Sequence, residues 1–330
     1  MEKITEELRN LLDPPKQWVF LLGNGFNRHA YSSDFSWNGI LNRLPSKMRG
    51  VVNKKAIQNS IKDVDSPIEV FSILCSMLWK NNPIGNKSAN GVSIATDAFI
   101  DVMKELMNWS PQQYFADLRK RFVQLTIPVL TTNFDNNIEG KYKRRYLSLD
   151  YDNLTGNFKP GSRKGFSRYY PWSSYYSNKV LNKADGGFAV WHIHGDINLP
   201  SSIRLGYSEY GGSITYAHRL LYNIDQPNRK RLYAEPSSPL WAGYNTWLQL
   251  FFKRAICVAG LGIGHDELFL RWLIIERYKF LKTQNINLPQ SIYLCKKGEI
   301  QNNQKQFFNN FGFDIVEFDD YYDFYNSFPF

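Results

Sequence analysis

The sequence predicts an α/β fold in which a parallel β-sheet is flanked by helices. Short, wholly apolar runs recur along the chain, several of them end at glycine or asparagine, and stretches with helical periodicity separate them. Strands that alternate with helices are typical of parallel sheets. Because ligands bind beyond the carboxyl ends of such strands, the polar residues at those ends are the candidate site residues.

The apolar runs and the helical periodicity together give an order of elements. The first run, after Pro14 and Pro15, enters a Gly-Asn-Gly turn, as expected of a buried strand. Strands are predicted at residues 18–22, 127–131, 188–191, 255–259, 291–295 and 314–318. Helices are predicted at residues 1–13, 37–44 and 267–281 and through most of 45–125, where a polar loop is predicted at 81–93.

This order divides the chain into three parts. An N-terminal helix at residues 1–15 precedes a sheet domain formed by residues 16–44 and 126–330. A helical insertion module at residues 45–125 separates the first two strands of that sheet.

The composition fits a globular protein. The 330 residues carry 40 Lys and Arg against 30 Asp and Glu, and the resulting net charge of +10 fits either anionic partners or a generally basic surface. No run approaches 18 uncharged apolar residues, so neither a transmembrane helix nor a membrane partner is predicted. The N-terminus lacks the apolar core of a secretory signal.

Three cysteines, Cys75, Cys257 and Cys295, lie far apart in apolar stretches. With no Cys-x-x-Cys pair and fewer than four thiols, the chain is unable to form a four-thiolate zinc site. We interpret the three residues as buried thiols of a cytoplasmic protein, because the cytoplasm is reducing.

Two charged segments are candidate interaction surfaces. Residues 141–180 contain nine Lys and Arg, two Asp and ten aromatic residues. Such a segment stacks on bases, packs over a site or contacts an acidic protein, and packing or protein contact is favoured over direct nucleic-acid binding. From Asp314 onward there are five acidic residues and no basic ones, which indicates either a surface that pairs with a basic neighbour or a final strand and helix.

The first motif, Gly23-Asn24-Gly25-Phe26-Asn27, follows the first predicted strand. Glycine permits positive φ and lets phosphate oxygens approach the backbone, so the turn is a candidate phosphate loop. A Gly-x-Gly-x-x-Gly motif would have its third glycine where this chain has Arg28. A tight turn between a strand and a helix is therefore the alternative.

The second motif, Thr132-Asn133-Phe134-Asp135, follows the next predicted strand. Polar side chains directly after a buried strand need hydrogen-bond partners, and the hydroxyls of a nucleotide sugar are candidates. The alternative is an Asx-type helix cap, which both Asn and Asp favour.

The third motif is His192-Ile193-His194-Gly195-Asp196. A histidine suits general-base work on a ribose hydroxyl or a water molecule. On an extended segment both histidines face the same side, so one is expected to be catalytic and the other structural. A paired metal site is the alternative, although no compact cluster of further ligands accompanies it in the sequence.

A glycine-rich turn, Gly260-Leu261-Gly262-Ile263-Gly264, follows the strand predicted at 255–259. His265 and Asp266 come next, and Asp266 either contacts a ribose or caps the following helix.

In their order along the chain, these motifs resemble those of the sirtuin superfamily and, within it, of the bacterial sirtuin-like NADases of antiphage defence. The resemblance spans roughly residues 16–320. The family motifs and their counterparts here are Gly-Ala-Gly-x-Ser at 23–27, Asp-Phe-Arg at 34–36, Gln-Asn-Ile-Asp at 132–135, the catalytic His-Gly at 194–195 and Gly-Thr-Ser at 260–262.

The sequence also departs from the family pattern. Asn27 replaces the serine of the first motif, Ser36 replaces the arginine after Asp-Phe, and Gly262 replaces the last serine. Cys295 stands where the family offers an asparagine to the adenosine. The four-cysteine zinc ribbon, which protein-deacylating members use with their peptide groove, is missing, and this favours hydrolysis of the dinucleotide itself.

The resemblance implies a Rossmann-like, sirtuin-type catalytic domain that cleaves NAD⁺ to nicotinamide and ADP-ribose, with NAD⁺ as substrate, no further cofactor and no zinc. It implies that Asn133 holds a ribose hydroxyl and orients water, that Asp135 supports the ribose or its loop, and that His194 acts as base. Contacts with NAD⁺ are implied for Gly23, Asn24, Gly25, Phe26, Asn27, Asp34, Thr132, Gly195, Gly260, Gly262 and Asp266.

The resemblance further implies that activity is controlled, because unrestrained NAD⁺ hydrolysis would kill a cell. Family analogy predicts a homo-oligomer, a separate activator or sensor protein such as a HerA-type ATPase, or both, with residues 141–180 or the acidic C-terminus as the assembly surface. Two alternatives stay open. One is an NAD-dependent protein deacylase or ADP-ribosyltransferase, and the other is a non-catalytic subunit that binds nucleotide or nucleic acid.

Overall fold

The computed structural model describes the greater part of the chain. The described residues are 10, 12–31, 35–48, 54–62, 64, 66–80, 91–107, 112–147, 151–152, 157–158, 172–222, 241 and 243–328. The strands within them are β1 (Trp18–Leu22), β2 (Val129–Thr131), β3 (Lys143–Tyr146), β4 (Tyr151–Asp152), β5 (Asn157–Phe158), β6 (Ser174–Ser177), β7 (Val190–His192), β8 (Ala255–Ala259), β9 (Ser291–Lys296) and β10 (Phe313–Phe318). The helices are α1 (Gly25–Ala30), α2 (Trp37–Lys47), α3 (Lys54–Ile61), α4 (Pro67–Lys80), α5 (Gly91–Met107), α6 (Gln112–Leu125), α7 (Tyr207–Tyr222), α8 (Trp247–Lys253), α9 (Leu268–Gln284), α10 (Asn302–Asn310) and α11 (Tyr321–Ser327).

Within these residues the fold is built on one eight-stranded sheet with the order β10-β9-β8-β1-β2-β7-β6-β3. The strands from β10 to β7 run parallel, and β6 pairs antiparallel with both β7 and β3. All five residues of β1 are buried because helices cover both faces of the sheet. The predicted α/β fold is therefore confirmed, and each of the six predicted strands is found within two residues of its predicted start.

Two core layers lie on the two faces of the sheet. Successive side chains of β1 alternate between them, as the pleat of a strand requires. Trp18, Phe20 and Leu22 belong to the layer that contains α6 and α11. Val19 and Leu21 belong to the layer that contains α7 to α10.

A third core cluster is formed by helices α2 to α5. It also takes in Phe134, which follows β2, and Ile197, which follows β7. The helical layer thus sits on the carboxyl ends of these two strands. Helix α6 packs in the layer on the sheet and not in the third cluster, so the packing of the helices does not follow the limits of the predicted module at residues 45–125. That these residues form a separate domain stays a prediction.

Some predicted elements need correction. Residues 141–180 had no clear period, yet β3 and β6 from this segment complete the sheet and make it mixed at one edge. Residues 81–90 of the loop predicted at 81–93 lie outside the described residues. The last three residues of that prediction are helical instead, because α5 begins at Gly91. The helix predicted at 1–13 lies mostly outside the described residues. Cys75 is half-buried, whereas Cys257 and Cys295 are buried as predicted. Of the described helices, none is long and apolar enough to cross a membrane.

Candidate functional site

The carboxyl ends of the six parallel strands meet at one cavity of about 830 Å³. It is lined by Asn24 and Gly25 after β1, by residues 132–135 after β2, by His194 after β7 and by Gly260 after β8. The convergence predicted from the sequence is therefore present, because neighbouring parallel strands end at the same sheet edge.

The glycine turn after β1 packs closely against the turn after β8. The N–H groups of Gly23 and Gly25 donate to the carbonyls of Ala259 and Gly260 at 3.1 and 2.8 Å. A Cβ on Gly25 would lie 2.0 Å from the Tyr325 hydroxyl and 2.7 Å from the Cα of Gly260, so this position requires glycine. These two N–H groups are thus engaged within the protein, and the predicted contact of the turn with a diphosphate stays a prediction.

A buried amide–carboxylate network links α1 to the loop after β2. Asn27 is fully buried, and its Nδ2 donates to Asp135 Oδ2 at 2.6 Å and to Asn24 Oδ1 at 3.0 Å. Asn137 donates from Nδ2 to Asn27 Oδ1 at 3.0 Å and from its backbone to Asp135 Oδ1 at 3.1 Å. Both oxygens of Asp135 therefore accept hydrogen bonds from the protein, so Asp135 positions this network. Its predicted catalytic role stays a prediction.

Asn133 is held from three directions. Its Nδ2 donates to the Gly23 carbonyl at 3.2 Å, and its backbone N–H donates to Thr131 Oγ1 at 3.1 Å. Its carbonyl lies 2.7 Å from His192 Nδ1. Within the described part of the chain, no group hydrogen-bonds to Asn133 Oδ1, and the residue lines the cavity.

His192 lies beneath the Asn133 loop and is paired with a buried carboxylate. Its Nε2 is 2.9 Å from Oε1 of Glu139, which is fully buried. Burial lowers the pKa of His192, but the attraction and hydrogen bond of Glu139, the charge of Asp196 and the hydrogen bond to Asn133 together outweigh it and raise the pKa to about 9. Because the Asn133 carbonyl only accepts hydrogen bonds, Nδ1 of His192 carries a proton. His192 is thus a positioning residue for Asn133.

His194 faces the cavity on the opposite side of the sheet. Its ring stacks on Tyr210 with centroids 5.2 Å apart, whereas the His192 ring contacts Tyr176 in the other core layer. The prediction that the two histidines face the same side is wrong, because β7 ends at His192 and the alternation of an extended strand does not continue to His194. Directly after His194 the chain turns at Gly195, where φ is +114°. Only glycine adopts that backbone readily.

The Nε2 atom of His194 is buried and has no hydrogen-bond partner among the described residues. The carboxylate oxygen Oε2 of Glu267 lies 3.5 Å from this nitrogen and accepts a hydrogen bond from the Tyr210 hydroxyl, also at 3.5 Å. His194 is therefore placed to exchange a proton with a molecule in the cavity, with a carboxylate behind it.

The turn after β8 forms another part of the cavity wall. Gly260 and Gly262 line it, and the space around Gly262 is open. Asp266 lines the cavity as well, and its backbone carbonyl accepts from the Leu268 N–H at 2.8 Å. Its predicted ribose contact stays a prediction.

Helices of the third cluster close the cavity with an apolar wall. Its members are Trp37, Ile40, Leu41, Ile68, Phe71, Phe99 and Met103, joined by Phe134 from the loop after β2. The motif search missed these residues because helix-period apolar positions are typical of any core. It also missed Glu267, Arg28 and Tyr325, although Glu267 directly follows Asp266 and Arg28 directly follows the first motif.

Other predicted residues lie behind the cavity or outside the described part of the chain. Gly23, Phe26, Asn27 and Gly195 pack beneath the lining residues rather than among them. Asp34 falls outside the described residues. Among the described residues, no group of three or more His, Cys, Asp or Glu side chains is placed to hold a metal ion.

The fold and the site together define a Rossmann-like α/β protein with a ligand cavity at the carboxyl edge of its sheet. A family model, the SIR2-like domain, matches residues 128–312, which is more than half of the chain. The chain belongs to this family, and the resemblance stated from its motifs is confirmed at that level. Membership implies NAD-dependent enzymatic chemistry at the level of the superfamily. No curated protein matches the chain.

Proposed function

We propose that this chain is an NAD⁺ glycohydrolase that transfers the ADP-ribosyl group of NAD⁺ to water. One observation carries the proposal: Asn133 and His194 line the same cavity as the glycine turns that end β1 and β8. A dinucleotide that spans from those turns to the Asn133 loop would place its nicotinamide ribose between the two side chains.

The chemistry follows from the two side chains. The bond between the ribose C1′ and the nicotinamide nitrogen breaks, and its electron pair stays with nicotinamide, leaving an oxocarbenium-like centre. Asn133 Oδ1 accepts a hydrogen bond from a ribose hydroxyl or from the attacking water. The water oxygen bonds to C1′ and its proton passes to His194, so NAD⁺ and water give nicotinamide, ADP-ribose and a proton.

The apolar wall supports water as the acceptor. Phe71, Phe99 and Phe134 form a surface that suits an aromatic ring such as nicotinamide. The same helices close the cavity from the side, which favours a small acceptor over a peptide. The chain also has three cysteines, too few for the zinc ribbon of the deacylating relatives.

The test is chromatographic measurement of nicotinamide and ADP-ribose after incubation of the purified protein with NAD⁺. Asn133→Ala and His194→Ala are compared with Asn310→Ala, on the exposed face of α10, and His218→Ala, on α7 away from the cavity. Product from the parent and both controls but not from the two site variants is expected. Equal turnover by Asn133→Ala and the parent would overturn the proposal, and turnover only with an added acceptor protein would favour a transferase.

We also propose that the enzyme is a cytoplasmic effector of antiphage defence, activated by self-assembly or by a partner protein. The support is the family resemblance and the cost to a cell of uncontrolled NAD⁺ loss. Specific activity that rises steeply with protein concentration, together with a growing particle mass, is the expected sign of assembly. Activity per molecule that is constant over the whole range and unchanged by co-expressed neighbouring proteins would count against this control.

The structure bears on how an assembly surface is probed. Arg144 on β3 lies 3.8 Å from the buried carboxylate of Asp196, and Arg145 donates from Nε to the Ser177 carbonyl at 3.4 Å. Charge reversal at either residue would therefore disturb the protein itself. Lys141 and Lys143, which are exposed in the same segment, are the better positions for reversal.

A further inference from the structure

The C-terminal helix α11 places one polar atom at the glycine turns. Tyr325 is 5% exposed and lines the cavity. Its hydroxyl lies 2.0 Å from the position of a Cβ on Gly25 and 3.2 Å from that of a Cβ on Gly260, so it stands between the turns that end β1 and β8.

This hydroxyl has no hydrogen-bond partner within the part of the chain that the structure describes. The rest of the Tyr325 residue, by contrast, is held by contacts with its neighbours. The Tyr325 ring packs edge-on against Phe26 at 4.8 Å, and the Tyr114 hydroxyl donates to the Tyr325 carbonyl at 3.2 Å. Burial raises the pKa of Tyr325 above its usual value, so the hydroxyl keeps its proton and is a donor at neutral pH.

The charges around this hydroxyl are mixed, and the cation beside it is Arg28. Arg28 and Lys296 line the cavity together with Asp266, Glu267 and Glu299. Arg28 opposes the rise in the pKa of Tyr325, whereas Glu299 adds to it. The N–H groups of Gly23 and Gly25, by contrast, already donate to the carbonyls of Ala259, at the end of β8, and of Gly260. Tyr325 therefore brings to this turn a donor that no described residue engages.

We propose that the Tyr325 hydroxyl donates a hydrogen bond to the diphosphate of the bound dinucleotide, with Arg28 supplying positive charge beside it. The inference rests on the proposed function for the identity of the ligand. It makes the C-terminal helix, which lies beyond the family match at residues 128–312, a part of the binding site.

The test uses binding of ADP-ribose and of adenosine, both measured by calorimetry on the full chain, so that no turnover is needed. Tyr325→Phe removes only the hydroxyl, and Tyr322→Phe, 70% exposed on the same helix, is the matched control. A hydrogen bond to a charged group is worth roughly a tenfold to hundredfold change in affinity. We expect Tyr325→Phe to lose at least tenfold in affinity for ADP-ribose and to bind adenosine as the parent does.

Each other outcome refutes a different statement. Unchanged ADP-ribose affinity in Tyr325→Phe would overturn the inference while leaving the proposed function intact. An equal loss for ADP-ribose and adenosine would also overturn it, because the ring position and not the hydroxyl would then matter. A parent protein that binds no ADP-ribose would overturn the proposed function itself.

Discussion

Replacing Glu139 by glutamine is expected to reverse the pH dependence of stability that the buried His192–Glu139 pair produces. His192 Nδ1 carries a proton that it donates to the Asn133 carbonyl, 2.7 Å away. A second proton is shared between His192 Nε2 and Glu139 Oε1, which are 2.9 Å apart. The unfolded chain releases this proton near the usual histidine pKa of 6.5, whereas the folded protein holds it to about pH 9.

The size and sign of the effect follow from that difference. A rise in pKa from 6.5 to about 9 corresponds to about 3 kcal/mol of stability. Because the folded-state pKa is raised, this stability is fully present below pH 6.5 and is lost as the pH rises towards 9. In Glu139→Gln the ring keeps its bond to Asn133 and the charge of Asp196 but loses its hydrogen-bonded carboxylate, and burial, the largest single influence on its pKa, then favours neutral imidazole. The variant should therefore lose stability as the pH falls below 6.5.

The assay is the free energy of unfolding in urea at intervals from pH 6 to pH 9.5. Glu105→Gln, which removes a carboxylate from an exposed ion pair with Lys47, is the control and should run parallel to the parent. We expect the stability difference between the parent and Glu139→Gln to shrink by about 3 kcal/mol between pH 6 and pH 9. A difference that stays constant over this range would refute the reasoning.

Two further predictions concern residues behind the cavity. Asn27→Asp places a second carboxylate against Asp135, because Asn27 Nδ2 and Asp135 Oδ2 are 2.6 Å apart in the parent. The variant should lose more than about 2 kcal/mol of stability, and more than Asn27→Ser loses. Equal melting temperatures of the two variants would contradict this. Gly195→Ala adds a Cβ 2.4 Å from the Ser202 carbonyl oxygen at a φ of +114°, so it should lower both the melting temperature and NAD⁺ turnover. Gly298→Ala, with positive φ but open space, separates backbone strain from the clash, and equal losses in both glycine variants would argue against a steric cause.

The strands that could be predicted share one property. Each parallel strand at the centre is buried on both faces, so its sequence is a run of apolar residues that stands out from helical periodicity. The edge strands β3 and β6 have no such signal. Lys143–Tyr146 is exposed or half-buried along its length, and Ser174–Ser177 is buried through polar and aromatic side chains. From sequence alone, neither pattern of residues can be told apart from that of a loop. What makes these segments strands is their pairing with neighbouring strands.

The candidate site could be predicted only where a motif ends a strand. Asn133 and His194 follow buried strands directly, and this made them recognisable. Glu139 and Tyr325 come from a loop and from the C-terminal helix, and they reach the site through tertiary packing. The orientation of His192 was missed because the period of an extended segment does not apply beyond the end of β7.

The contacts around Asn133 explain why motifs so far apart in sequence act as one unit. Its side chain bonds to the Gly23 carbonyl and its own carbonyl to His192, so the ends of β1, β2 and β7 are joined through one residue. Loss of any of these contacts displaces the same amide, so the effects of single substitutions should not add. Loss of the hydrogen bonds of His192 should change stability and activity together. At His194 the Nε2 atom bonds to none of the described residues, so its loss should change activity, whereas the stability that His194 contributes comes from its buried ring, stacked on Tyr210.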